Sequence, residues 1–336
     1  MVTAPLTPEE YARTAGAVAG QIDRVIVGQR HLIHQVMVCL LCEGHALLEG
    51  VPGLGKTLLL KTLSEAVELG FSRIQFTPDL MPADVLGTKV LRQERDGRRR
   101  FEFQAGPVFA NLVLADEVNR ATPKTQSALL EAMQERRVTT GGATRRLPRP
   151  FFVMATQNPL EMEGTYPLPE AQLDRFLLKV LVPFPSSDDL VRVVERTTGT
   201  DTASVEKVAD GPKLAAMVAL TREVPIAFHL ARHAVDLVVA THPNNPGSPE
   251  LVRRYVRFGA SPRGAQALVL AAKATALLDH RPNVAAADLR AVAHACLRHR
   301  LVLGYEAVAE GVDPDAVVSA VLGAVPEPAA GLRGAP

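Results

Sequence analysis

The chain has 336 residues, of which 47% are apolar and only 4% aromatic, with no Trp. That length exceeds what a single core usually fills, roughly 250–300 residues, so two packed domains with aliphatic interiors are expected. With 37 basic residues against 36 acidic ones, there is no global pull toward nucleic acid or a membrane surface, and any polyanion contact has to come from a local patch.

The N-terminal stretch MVTAPLTPEEYART pairs no basic segment with an apolar one, so no signal peptide is expected. The longest apolar runs, such as Val36–Cys42 and Ala267–Ala272, fall far short of the ~20 residues of a membrane span. A cytoplasmic protein without a membrane span is therefore expected. Residues 7–18 read as a helix, with Thr7 as N-cap and Pro8 at its first position. Val25–Val27, followed by Gly28 and Gln29, is a small apolar stretch before a helix over 30–43. Within that helix Cys39 and Cys42 form a C-x-x-C near His31, His34 and His45. A metal or redox reading is open to them, but the apolar setting of Leu32–Leu41 favours small core hydrophobes. Three cysteines exclude a disulfide framework.

His45–Leu48 reads as a short apolar strand running into Gly50–Thr57, with a helix over Leu58–Leu69 and a strand at Ile74–Phe76. Between 78 and 107, strand-like Thr88–Leu91 and Arg100–Phe103 flank Asp96-Gly97, a hairpin signal. Leu112–Ala115 is a buried strand, and Pro123–Arg136 a helix with Leu129, Leu130 and Met133 on one face. Val138–Thr140 and Thr144–Leu147 flank Gly141-Gly142, which places a second hairpin at 137–148. Phe151–Ala155 and Leu177–Val182 complete the strands. Strands alternating with helices predict an α/β nucleotide-binding domain over 1–185, built on a mainly parallel sheet flanked by helices. A connecting helix and loop follow over 186–211. Helical patterns at 213–222, 229–242, 249–258, 261–280, 285–300 and 313–323, with no strand pattern among them, predict an all-helical domain over 212–325. The Pro/Gly/Ala-rich tail 326–336 is expected to be disordered. His229 and His233 are spaced i,i+4 but lack the glutamate of H-E-x-x-H, and with His294 and His299 they read as helix surface or partial core.

Gly50-Val51-Pro52-Gly53-Leu54-Gly55-Lys56-Thr57 fits G-x-x-x-x-G-K-[ST] in full, and it lies between a strand and a helix as that motif requires. Glycines let successive backbone amides turn onto a phosphate, and the following helix offers free N–H groups, with Leu58 completing the segment. Lys56 can reach the β- and γ-phosphates, and the Thr57 hydroxyl can ligate Mg²⁺. Leu112–Ala115 ends in Asp116 and Glu117, at the edge where parallel sheets bind ligands. Asp116 is expected to hold Mg²⁺ through water, and Glu117 to orient and deprotonate the attacking water. The bland alternative is a solvated strand end. ATP and Mg²⁺ are the expected cofactors.

With these residues in view, the chain resembles the AAA+ ATPases, and more narrowly the MoxR family, over about residues 20–325. The likeness rests on Ile26-Val27-Gly28-Gln29, Gly50–Thr57, LADEVNR at 114–120, ATQNP at 155–159, EAQLDRF at 170–176 and GASPRGAQAL at 259–268. The resemblance implies that Asn158 matches the sensor-1 position, where a neutral amide meets the water or γ-phosphate. The alternative for Asn158 is a turn before proline. Arg175 matches the arginine finger, which acts on the neighbouring subunit; its alternative is an ion pair with Asp174 or Glu170. Arg263 matches sensor 2 and is expected to touch the γ-phosphate in cis, the alternative being a surface arginine. Arg120 is a second candidate for reaching across the interface. Ile26, Val27, Gly28 and Gln29 look like the adenine-pocket segment, and no NKxD-like guanine reader is present.

The two hairpins are similar to inserts shared with magnesium-chelatase ATPase subunits and replicative helicases. Arg92, Arg95, Arg98, Arg99 and Arg100 crowd the first, balanced by Glu94, Asp96 and Glu102, and the tip lacks aromatic stacking groups, so nucleic acid is not the expected partner. The resemblance implies a ring homo-oligomer, expected to be hexameric, that remodels protein clients. It also implies partners with von Willebrand factor A domains and roles in enzyme maturation or metal insertion. The rival readings are a nucleic-acid-dependent motor of helicase type and a scaffold that binds ATP without turning it over; the set Lys56, Asp116, Glu117 and Arg175 speaks against the scaffold.

Overall fold

The computed structural model describes residues 6–51, 53–93, 99–158, 164–199 and 204–328. Pro52, the first hairpin's tip with Glu94, Arg95, Asp96, Gly97 and Arg98, Pro159, and the tail from 329 lie outside the described residues.

Helix α1 (Pro8–Val25) starts where Thr7 Oγ1 accepts the Glu10 amide at 3.2 Å, with Pro8 in the first turn. It runs past the expected end because Gln21 and Ile22 are buried and carry its inward face onward. Helix α2 (Arg30–Leu41) leads into β1 (Ala46–Glu49), followed by α3 (Lys56–Ala66) and β2 (Phe71–Gln75). A short α4 (Pro82–Leu86) precedes the hairpin β3 (Gly87–Gln93) and β4 (Arg99–Ala105). Then come β5 (Leu112–Asp116), α5 (Pro123–Glu135), the hairpin β6 (Arg137–Thr140) and β7 (Ala143–Arg146), β8 (Phe152–Gln157), α6 (Glu170–Leu173), β9 (Leu178–Leu181) and α7 (Ser187–Thr198). The two hairpins meet where the Arg145 guanidinium lies 3.8 Å over the Phe103 ring.

The central sheet has the order β2-β5-β8-β1-β9, and every pairing is parallel. Both its faces are covered, which is why β5 and β8 read as unbroken apolar runs. Leu48, Leu112, Leu114 and Met154 face the core that includes α1, α2 and α3. Leu47, Val113, Val153 and Ala155 face a second core with α5. This alternation follows from the two-residue period of a strand.

The C-terminal part holds α8 (Gly211–Glu223), α9 (Phe228–Val239), α10 (Glu250–Tyr255), β10 (Val256–Phe258), α11 (Pro262–Leu278), α12 (Ala286–Leu297), β11 (Val302–Leu303), α13 (Tyr305–Glu310) and α14 (Pro314–Ala324). It is not purely helical: β10 and β11 pair antiparallel through Val256↔Leu303 and Phe258↔Val302. Segments of three and two residues are too short to show a period, so only their pairing across the chain reveals them. The core of α1–α3 continues into this part through Leu268 and Ala271 of α11. The Tyr11 hydroxyl meets Thr221 Oγ1 at 2.9 Å in the same seam. Cys39 and Cys42 are buried there, their thiols aimed at the carbonyls of His45 and Leu270. Burial pushes both thiols well above the ordinary cysteine range, so they are inert core groups. Among the described residues, no single helix is long and apolar enough to cross a membrane.

Candidate functional site

The loop after β1 turns through Gly53 (φ +84°) and Gly55 (φ +75°), backbone that side chains rarely adopt. Gly55 is the N-cap of α3, and among the described residues no side chain caps that helix. Its first-turn amides are thus directed at a cavity of about 340 Å³, walled by the loop, Lys56, Thr57, Arg73, Asp116, Glu117 and Asn158. Lys56 Nζ donates to the Gly50 carbonyl at 2.7 Å. Partial burial draws its ammonium below the ordinary lysine range, opposed by Asp116 and Glu117.

The carboxylates arrive from β5, next to β8. Asp116 Oδ1 accepts from Thr156 Oγ1 at 2.6 Å, and Oδ2 accepts from the Arg73 guanidinium at 2.7 Å. Glu117 has φ +56°, a strained setting for a residue with a Cβ. Its amide donates to Thr156 Oγ1 at 2.8 Å, so one hydroxyl joins both acidic residues. Glu117 Oε2 accepts from Gln75 Nε2 at 2.7 Å and from Arg120 at 3.2 Å. Asn158, buried at the end of β8, lines the same cavity.

Ile26–Gln29 forms a strap over the loop. Gln29 Nε2 donates to the Leu54 carbonyl at 3.1 Å, while its buried Oε1 has no partner among the described residues. Gly28 has φ +74°, and a Cβ there would collide with the Asp189 carboxylate of α7. The strap is therefore clamped between the phosphate loop and α7. The donor set fits a magnesium nucleotide: loop amides and Lys56 for phosphates, hard oxygens from Thr57 and Asp116 for the cation, and an apolar strap with an orphaned acceptor for a base.

Arg175 and Arg263 lie elsewhere. Arg175 donates to the Leu130 carbonyl at 3.0 Å, and its buried Nε lacks a partner among the described residues. Asp174 is engaged by Arg300 Nε at 2.9 Å and by the Ser261 hydroxyl at 2.9 Å, rather than by Arg175. Arg263 sits 3.6 Å from Asp174 and shares with Arg175 a cleft that also contains Arg136 and Arg300. Arg263 is grouped with Arg175 and is not among the residues walling the phosphate-loop cavity, where a cis contact was expected to place it. The cause is Ser261, whose Oγ caps the start of α11 through the Arg263 amide at 3.1 Å and also binds Asp174, pinning α11 to α6.

Sequence reading missed Arg73, Gln75, Thr156 and Arg300. The first two lie on β2, where residues two apart share a face and Gln75 is in register with Asp116, a juxtaposition that depends on β2 pairing with β5. Arg300 carried no local signal.

A family model described as the ATPase family associated with various cellular activities matches residues 45–178, and one described as the AAA lid domain matches residues 249–321. The chain is 44% identical over 308 residues to Chaperone MoxR1 of Mycobacterium tuberculosis, covering 92% of this chain and 81% of that one. It is 34% identical over 340 residues to Protein MoxR of Paracoccus denitrificans, covering 95% and 98%. A solved structure of a candidate ATPase from Cytophaga hutchinsonii superposes with a TM-score of 0.90 at 40% identity, covering 96% of this chain and 97% of that one. A P-loop with an adjoining acidic pair, the five-stranded parallel sheet and these relatives lead to one conclusion: the chain is an ATPase that belongs to the MoxR family of AAA+ proteins.

Proposed function

We propose that this ATPase hydrolyses ATP to ADP and phosphate, with Mg²⁺, at sites completed by a neighbouring copy in a hexameric ring, and that the ring remodels protein clients. The observation that carries this reading is the division of the charged groups. Lys56, Asp116 and Glu117 wall one cavity, while Arg175 and Arg263 share another cleft. Each is half of a phosphoryl-transfer site as such sites are built in comparable enzymes.

In this reading the amides of Gly53–Leu58 and Lys56 bind the phosphates, and Thr57 and Asp116 hold the cation. When bound, Mg²⁺ offsets charge on the β- and γ-phosphates. Glu117 takes the proton of the attacking water, and Asn158 orients that water. Arg175 and Arg263 reach the γ-phosphate bound by the next subunit. The Asp174 joint ties these two arginines to the lid, so residues 212–325 follow the nucleotide state of the neighbour. The relative named as a chaperone supports protein clients. Partners with von Willebrand factor A domains, and roles in maturation or metal insertion, complete the proposal.

Glu117→Gln is the direct test. A fluorescent ATP analogue should bind as to wild type, while phosphate release falls by roughly 10²–10⁴-fold, the usual worth of a general base. Turnover within twofold of wild type removes Glu117 from this role.

A further inference from the structure

Arg73 is a charged group of the phosphate cavity that the proposed reaction leaves unused. Strand β2 is an edge of the sheet, bonded on one side to β5, with Gln75 opposite Asp116 and Arg73 opposite Leu114. Arg73 and Gln75 therefore project from one face of β2, the face on which Asp116 ends β5. One guanidinium nitrogen of Arg73 donates to Asp116 Oδ2 and to Gln75 Oε1, each at 2.7 Å. The other Asp116 oxygen accepts from Thr156 at 2.6 Å. Both oxygens of the carboxylate that would hold the cation are thus taken by protein donors. Arg73 also walls the phosphate cavity, and its side chain is 47% exposed, against 18% for Asp116. As an edge-strand side chain it has room to swing.

We infer that Arg73 is a movable counter-charge of the metal site, bound to Asp116 in the nucleotide-free chain and passed to the triphosphate when a divalent cation arrives. The inference rests on the reading of this cavity as an ATP site. A cation at Asp116 competes with the guanidinium for one carboxylate and repels it over a few ångströms. A triphosphate provides a second anion, bidentate in geometry, to receive it. A cation alone must displace Arg73 without compensation, whereas a cation with triphosphate gives it a new partner. Binding of the two is thereby coupled, each improving the other by the same factor. An ordinary partly exposed ion pair makes no such link.

The test uses the full chain and two probes. With no nucleotide present, Mn²⁺ is titrated and its free fraction read by electron paramagnetic resonance. Arg73→Gln should bind Mn²⁺ about fivefold more tightly than wild type, the effect of releasing one partly exposed pair. The gain in affinity for a fluorescent ATP analogue on going from EDTA to saturating Mn²⁺ should be about fivefold smaller for Arg73→Gln than for wild type, since the variant has no cation to pass from Asp116 to the triphosphate, and an equal gain in both overturns the inference. Arg73→Met, with a similar stem, takes the place of Arg73→Gln if the latter is not recovered folded, with the same expectations. Mn²⁺ affinity equal to or below wild type, or no Mn²⁺ binding by either protein, overturns the inference. Failure of the wild type to bind the ATP analogue would instead refute the ATP-site reading, and the Mn²⁺ comparison distinguishes the two failures.

Discussion

His45 stands directly before β1 with both ring nitrogens committed. Nδ1 accepts the Val153 amide at 3.0 Å, and Nε2 lies 3.2 Å from the Met133 carbonyl. An acceptor at Nδ1 fixes the neutral tautomer with its proton on Nε2. Burial holds the pKa down at about 4, from an ordinary 6.5. A base depressed in the folded state stabilises above its unfolded pKa, and that stability is lost as pH falls from 6.5 toward 4. Between pH 7 and pH 5 the loss from His45 is about 2 kcal/mol. The urea midpoint should therefore drop over that interval, and His45→Gln should show a shallower drop. Some slope should remain, because buried His299 is depressed in the same direction. An equal slope in variant and wild type would show that His45 does not titrate on unfolding. The C-x-x-C beside His45 left a metal reading open by its spacing, while its apolar setting favoured core, and both cysteines are buried. That Lys56, Asp116 and Glu117 gather at one cavity was legible because each sits inside a local motif. Arg73 was not, since its partner is 43 positions away and the contact depends on strand order.

The joint between α6 and α11 is made by one carboxylate. Asp174 receives Arg300, Ser261 and Arg263, and Arg300 is only 7% exposed. Burial draws the Arg300 guanidinium below the ordinary arginine range, with Asp174 opposing. Removing the carboxylate leaves a buried charge without its counter-ion, a change that costs about 3 kcal/mol or more. Asp174→Ala should lower the urea midpoint accordingly, and the paired variant Asp174→Ala/Arg300→Met should recover a large part of the loss. No recovery in the double variant would mean that backbone carbonyls, not Asp174, compensate Arg300. The element pattern itself was mostly legible. Long periodic helices and apolar strands appeared near their expected places, with ends shifted by a few residues. The pair β10–β11 and helix α13 escaped, because two to six residues are too few for a period to stand out.

Across the molecule, the phosphate cavity and the Arg175 cleft are separate. If the site is completed by a neighbour, Arg175→Ala should cut turnover by roughly 10³-fold while the isolated subunit binds ATP within twofold of wild type. Mixing Arg175→Ala with Lys56→Ala subunits should restore part of the activity, since some interfaces then unite an intact cavity with an intact arginine. Strongly weakened binding by the isolated Arg175→Ala subunit would contradict action from outside.

What could be read from residue order alone were features whose parts lie within one turn or one strand and whose pattern is long or distinctive enough to show: the phosphate loop, the acidic pair and the alternation that yields an α/β layer followed by helices. Those features depend on backbone conformations and side-chain periods set by near neighbours. The company kept by Arg263 was decided by packing. Its motif marks the start of a helix but carries no information about the angle of that helix to the sheet. That angle comes from a core shared between α11 and α1–α3, and from the Ser261–Asp174–Arg300 contacts spanning up to 126 positions.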